Sequence, residues 1–281
     1  MPETFLWYDL ETFGRDCRTS RISQFAGIRT DADLKPVGEP LSLYCRPSDD
    51  FLPEPEAALI TGITPQYARQ HGLCEADFMA RVHEQLCEPG TCALGYNSLR
   101  FDDEFIRFSL YRNFYDAYER EYAGGNSRWD LLDVMRMMYA LQPDALQWPL
   151  RDDGQPSFKL EHLAKANECF EGEAHEALSD VRSLINLARK VKSAAPLLWR
   201  HCLDLRDKNA VGGKLAAYKN ERGLHVSGQC PAAQACTGLM LPLMPHPLIK
   251  TRTLAVELRP EALKLIEYTA EQIEQNIFTK H

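Results

Sequence analysis

Phe5-Leu6-Trp7-Tyr8-Asp9-Leu10-Glu11-Thr12-Phe13-Gly14 is the stretch on which the rest of the chain depends. Its apolar and aromatic run predicts a buried strand near the amino terminus. Asp9 and Glu11 are two residues apart, so on extended backbone they share a face. Two carboxylates on one face of a core strand repel each other and lose hydration. A hard divalent cation with oxygen ligands resolves that conflict. A solvated strand end is the other reading open at this point.

Three further groups downstream favour the cation. Cys92-Ala93-Leu94-Gly95-Tyr96-Asn97 predicts a second core strand, and Phe101-Asp102-Asp103-Glu104 follows it at the start of an amphipathic helix. Asp102 therefore stands at a strand-to-helix junction, where a helix cap and a ligand are both open readings. One of Asp102 and Asp103 faces a site and the other caps, if the two divide these jobs. A late helix, residues 176–192, carries the stripe Leu178, Val181, Leu184, Ile185, Ala188 and Val191, from which Asp180 departs. His175 lies at or just before its start. On a regular helix the two would diverge by about 140°, but a His175 on the incoming loop faces the same cleft. Four carboxylates from three elements suit a pair of magnesium ions about 4 Å apart, one activating water and one stabilising a leaving 3′ oxygen. A neutral imidazole beside that water serves as general base near pH 7.

Around these elements, residues 22–30 and 41–45 predict strands, with Asp31-Ala32-Asp33 as the turn, in an antiparallel meander on the first strand. Residues 47–65 predict a surface loop with one short helix at 56–59. Phe78, Val82 and Leu86 mark a helix over 75–87. Asn126-Ser127-Arg128-Trp129-Asp130 predicts the opening of another helix, and 158–167 a short one bearing Lys159. After a helix at 197–205 the chain turns polar and glycine-bearing over 207–213. Short strands at 223–228, 238–242 and 252–258 and a closing helix at 260–278 complete a small β-module. The expected domains are residues 1–200 and 201–281.

Length, at 281 residues, suits a main domain with a smaller appendage. Hydrophobic residues make up 44% and charged residues 26%, the composition of a globular protein with a sizeable core. No apolar run approaches the roughly 20 residues needed to span a bilayer, and Met1-Pro2-Glu3-Thr4 has no basic n-region. Nine cysteines without metal-type spacing suit reduced thiols in a cytoplasm. The net charge of −8, from 32 basic and 40 acidic residues, excludes a protein that coats nucleic acid by bulk charge. It does not exclude a nuclease, whose metals restore positive potential locally.

Asp9-Leu10-Glu11-Thr12-Phe13-Gly14, Gly95-Tyr96-Asn97 with Arg100-Phe101-Asp102-Asp103-Glu104, and His175 with Asp180 resemble the three motifs of the DEDDh exonuclease superfamily. Leu59–Pro65, Tyr111–Asp116, Asn126–Asp133 and Pro156–Leu163 narrow the resemblance to the bacterial exonuclease I family. It covers nearly everything from Thr4 to Val191 and then thins. The resemblance implies a ribonuclease H-like α/β fold, a mixed five-stranded sheet flanked by helices, followed by a small SH3-like β-module. It implies 3′→5′ hydrolysis of single-stranded DNA to 5′-mononucleotides, in DNA repair and recombination. Asp9, Glu11, Asp102 and Asp180 would hold two Mg2+ ions, with Mn2+ as a substitute, and His175 would be the base. Arg107, Tyr118, Arg136 and Lys159 occupy family-like positions for contacts to the 3′ end of the strand, beside Glu11. An exposed Phe13 would wedge against the terminal base, or else pack. For Arg107 and Arg136 a solvated helix face is the competing reading.

The family continues into a helical domain that closes a cleft around the strand. High processivity and docking of a single-stranded DNA-binding protein, the partner the resemblance adds, are tied to that domain, for which these residues leave no room. Catalysis at one 3′ end is expected without it. Two alternatives stand: an oligoribonuclease-like enzyme acting on short RNA, and a nucleic-acid-binding module without activity. The exonuclease I segments weigh against the first, and the full set of five motif residues against the second.

Overall fold

The computed structural model describes residues 3–172, 176–215 and 222–277. Strand β1 (Thr4–Thr12) is the centre of a five-stranded sheet of order β3-β2-β1-β4-β5. It pairs antiparallel with β2 (Ile22–Thr30), which pairs antiparallel with β3 (Leu41–Tyr44). On its other side β1 runs parallel to β4 (Thr91–Gly95), and β4 runs parallel to β5 (Ser127–Asp130). Helices α1 (Pro55–Thr61), α2 (Pro65–His71) and α3 (Glu75–Cys87) separate β3 from β4. Helix α4 (Asp102–Arg112) follows β4, and α5 (Leu131–Leu141) follows β5 directly. Helices α6 (Leu160–Ala166), α7 (Ala177–Ala194) and α8 (Pro196–Asp204) complete the first compact unit, which ends at Arg206.

The period of β1 sorts its side chains onto two cores. Phe5 and Trp7 enter a cluster with Val134, Met135 and Met138 of α5 and Val181, Leu184 and Ala188 of α7. Leu6, Tyr8 and Leu10 enter the opposite cluster with Phe78 and Val82 of α3 and Phe105 and Ile106 of α4. Each large side chain buried in this way contributes about 1.5–3 kcal/mol. Trp7 is fully buried, and its indole N–H donates to Thr30 Oγ1 at 2.9 Å. Asp9 and Glu11 continue the α7 face of the strand.

Parallel pairing with β4 stops at Trp7↔Leu94, and from there the chain leaves the sheet for α4. Gly95 makes this departure close: a Cβ on it would stand 2.7 Å from the Tyr8 carbonyl oxygen. Asp130 fixes the next step. Its carboxylate accepts the backbone N–H groups of Asn97 at 2.9 Å and Leu99 at 3.2 Å, and it caps α5 through Leu132 N–H at 3.0 Å. Asn97 is thereby held at φ 63°, a left-handed conformation.

Residues 127–130, expected to open a helix, form β5 instead. Asp130 is the cap of that helix, and it and the three residues before it pair with Cys92–Gly95. Four residues, two of them only half-buried, give no alternation to read. Helix α2 begins where the expected loop 47–65 ends, over residues with no expected element. Thr64 caps it, accepting from Tyr67 N–H at 3.1 Å, but it buries only Ala68 and so has no apolar stripe. Helix α8 belongs to the first unit, because Trp199 packs edge-on to Trp129 at 4.8 Å. The division between units thus falls after Arg206 rather than after residue 200.

The second unit carries α9 (Lys208–Lys214) and a three-stranded antiparallel sheet of β6 (Gly223–Val226), β7 (Thr237–Pro245) and β8 (Thr253–Glu257). The expected single closing helix is broken. Helix α10 (Pro260–Leu263) ends in a 3-10 turn, and α11 (Ala270–Ile277) starts afresh. Thr269 and Gln272 form a reciprocal capping box there, Thr269 N–H donating to Gln272 Oε1 at 2.9 Å and Gln272 N–H to Thr269 Oγ1 at 3.3 Å.

Candidate active site

Helix α7 lies over the β1 face that bears Asp9 and Glu11, and its first turn brings Asp180 to them. One carboxylate oxygen from each of the three lies within 4.8 Å of the others. Glu176 caps α7, accepting Ser179 N–H at 2.7 Å and Leu178 N–H at 3.3 Å. The amino-terminal end of the helix favours negative charge close by. Asp102, the first residue of α4, is 4% exposed. Phe101 takes the cap position of that helix, so the capping reading of Asp102 does not hold. Instead the Leu10 backbone N–H stabilises the ionised carboxyls of both Asp9 and Asp102.

The electrostatics express the crowding. Burial, then Asp102, Glu11 and Asp180, hold the Asp9 carboxyl well above its ordinary range. Burial with the charges of Asp180, Asp102 and Glu176 pushes Glu11 up to about 8. Burial with the charges of Asp103 and Asp130 pushes Asp102 up to about 8. A donor set made only of oxygen and repelling itself fits a hard divalent cation, which removes the repulsion.

The other expected site residues divide. His175 lies outside the described residues. Phe13 is not exposed: it is 1% accessible and packs with Ile63, Ala68 and Phe51, so it wedges nothing. Arg107 is neither free nor solvated. It donates to Glu121 at 2.8 Å, pairs with Glu104, and stands 5.0 Å above the Tyr118 ring. Arg136 donates to Asp133 at 2.8 Å, and Asp133 also receives Arg100 at 2.9 Å. Lys159, at the cap position of α6, is exposed and has no ion pair among the described residues.

Asp103 is what the motif reading missed. Its carboxylate turns away from the acidic cluster and accepts Tyr8 O–H and Arg120 Nη2, each at 2.6 Å, while Arg128 pairs with its second oxygen. Its pKa is held below the ordinary value despite burial by Arg120, Arg128 and these bonds. No periodicity signals such a contact, because Tyr8 and Asp103 are far apart in sequence.

A mixed sheet that gathers carboxylates from its central strand and from two helices defines the ribonuclease H-like nucleases as the class. The chain belongs to the exonuclease family, whose model matches residues 6–188, and residues 206–281 match the Exonuclease I SH3-like domain. It is 45% identical to exodeoxyribonuclease I of Escherichia coli (strain K12) over 276 residues and 39% identical to that of Haemophilus influenzae over 277. These alignments take in 98% and 99% of the chain but only 58% and 59% of the relatives, so the chain spans under two thirds of their length. Among solved structures, E. coli exonuclease I in complex with a dA16 oligonucleotide superposes with a TM-score of 0.94 at 45% identity, over 99% of this chain and 60% of that one. An exonuclease I complex with the SSB C-terminal segment superposes equally well, at 0.94 and 43% identity, with the same coverage of both chains. Among the described residues no helix is long and apolar enough to cross a membrane.

Proposed function

We propose that the chain is a 3′→5′ exodeoxyribonuclease that hydrolyses single-stranded DNA to 5′-mononucleotides with two Mg2+ ions. The observation that carries this reading is the meeting of Asp9, Glu11 and Asp180 oxygens within 4.8 Å, with Asp102 beside them. Bound divalent ions would supply positive charge to the scissile phosphate and polarise the attacking water. Asp9, Glu11, Asp102 and Asp180 would hold them. His175, which precedes α7 in sequence, would accept the water's proton on an imidazole nitrogen. Lys159 would attract a phosphate of the incoming strand. The oligonucleotide complex of the E. coli relative supports DNA as substrate, and the SSB complex supports a single-stranded DNA-binding protein as partner.

The test is degradation of a 5′-labelled single strand with Mg2+, beside a 3′-blocked copy and an RNA copy. The DNA should shorten from its 3′ end while the other two stay intact. Asp180→Ala should lower kcat by about a thousandfold or more, the loss of several kcal/mol of transition-state stabilisation. RNA trimmed in preference to DNA, or activity retained in Asp180→Ala, would overturn the reading.

A further inference from the structure

Behind the acidic cluster, on the other face of the sheet, lies a second set of buried charges that the proposed chemistry does not use. Asp102 and Asp103 are successive residues in the first turn of α4, about 100° apart around the helix. Tyr8 and Asp9 are successive residues of β1, on opposite faces. The Tyr8 hydroxyl donates to Asp103 Oδ1 at 2.6 Å. One bond thus ties strand to helix, each partner one residue from a proposed metal ligand. The acceptor is itself fixed. Arg120, with a fully buried side chain, donates to the same oxygen at 2.6 Å, and Arg128 pairs with Oδ2 while reaching Glu121 at 2.9 Å.

A buried ion cluster of this kind is a poor source of stability, because desolvation offsets most of the attraction. What it specifies is orientation: three donors from β1, β5 and the α4–β5 connection leave the Asp103 carboxylate one position. Asp102 must then present its carboxylate toward Leu10 N–H and Asp9. We propose that Tyr8 and Asp103 are positioning residues that set Asp102 against Asp9, so that metal affinity depends on a bond lying outside the ligand set. The inference rests on the nuclease reading for the identity of the ligands.

Asp103→Asn strips Arg120 and Arg128 of the charge they share and disturbs folding as well as position, so Tyr8→Phe, which removes one oxygen and keeps every ion pair, is the working variant. Mn2+ binding to the full chain is measured through the resonance of the free ion, with circular dichroism as the control for folding. Tyr8→Phe should weaken Mn2+ binding about tenfold, the range of supporting contacts around metal ligands, with an unchanged spectrum. In an Asp102→Asn background the same substitution should add little. Wild-type affinity in Tyr8→Phe, or a tenfold loss that persists undiminished in Asp102→Asn, would overturn the inference. Single-stranded DNA left intact by a wild-type protein that binds Mn2+ and shows this coupling would overturn the nuclease reading alone.

Discussion

Glu11 shows what the acidic site does to the protein before any substrate arrives. Its folded-state pKa of about 8 lies above the ordinary 4.5, through burial and then the charges of Asp180, Asp102 and Glu176. Between those two pH values the folded chain holds a proton that the unfolded chain releases. Stability therefore falls as pH rises through this window and levels off above it. A divalent ion binds the ionised set, so its stabilisation should grow over the same window. In EDTA, Tm should decline from pH 5 to pH 8. Mg2+ at 100 times its Kd should restore about 2.7 kcal/mol, several degrees of Tm, at pH 8 and much less at pH 5. Glu11→Gln should flatten both trends. A metal-free Tm independent of pH would show that the cluster is not strained by its own charge.

At the scale of elements, the junction of β1, β4 and α4 decides whether these carboxylates meet. Gly95→Ala places a Cβ 2.7 Å from the Tyr8 carbonyl oxygen and 2.8 Å from Ser98 Cβ, so β4 must move away from β1. A loss of about 1–3 kcal/mol is expected, the usual range for overpacking, together with reduced kcat because the displaced segment leads to Asp102. Urea denaturation and single-turnover kinetics check the two effects, and unchanged stability would mean that the strands part freely. The fold was legible wherever one residue pattern coincided with one element. The alternation of Phe5, Trp7, Asp9 and Glu11 places the acids on one face, and the stripe of α7 leaves Asp180 outside the core. It was illegible where a short element takes its identity from a neighbour. Strand β5 exists because β4 offers it an edge, and α11 starts anew because Thr269 and Gln272 cap each other. Phe13 reads as an exposed residue at a strand end, yet the 47–65 segment folds back to bury it, with Glu54 N–H donating to its carbonyl at 2.8 Å.

Across the whole molecule, the arginines between residues 100 and 136 are spent on the first unit's own acids. Arg100 and Arg136 pair with Asp133, Arg120 and Arg128 with Asp103, and Arg107 with Glu104 and Glu121. With a net charge of −8 and these arginines paired internally, DNA capture should depend weakly on salt. Few neutralised phosphates mean few released counterions, at a slope of about 0.7 per contact for single strands. Lys159, exposed and without an ion pair among the described residues, is the contact to remove. Lys159→Ala should raise KM for a single-stranded oligonucleotide, leave kcat within about twofold, and reduce the slope of log KM against log salt by about 0.7. Arg107→Ala should behave differently, since its partners Glu104 and Glu121 lose their counter-charge: the expected effect is on Tm, with the salt slope unchanged. Steady-state kinetics from 50 to 200 mM NaCl separate the two. An unchanged slope in Lys159→Ala, with a reduced slope in Arg107→Ala, would mean that the internal ion pairs open to receive the strand and that the apparent charge balance of the unit is not the one DNA meets.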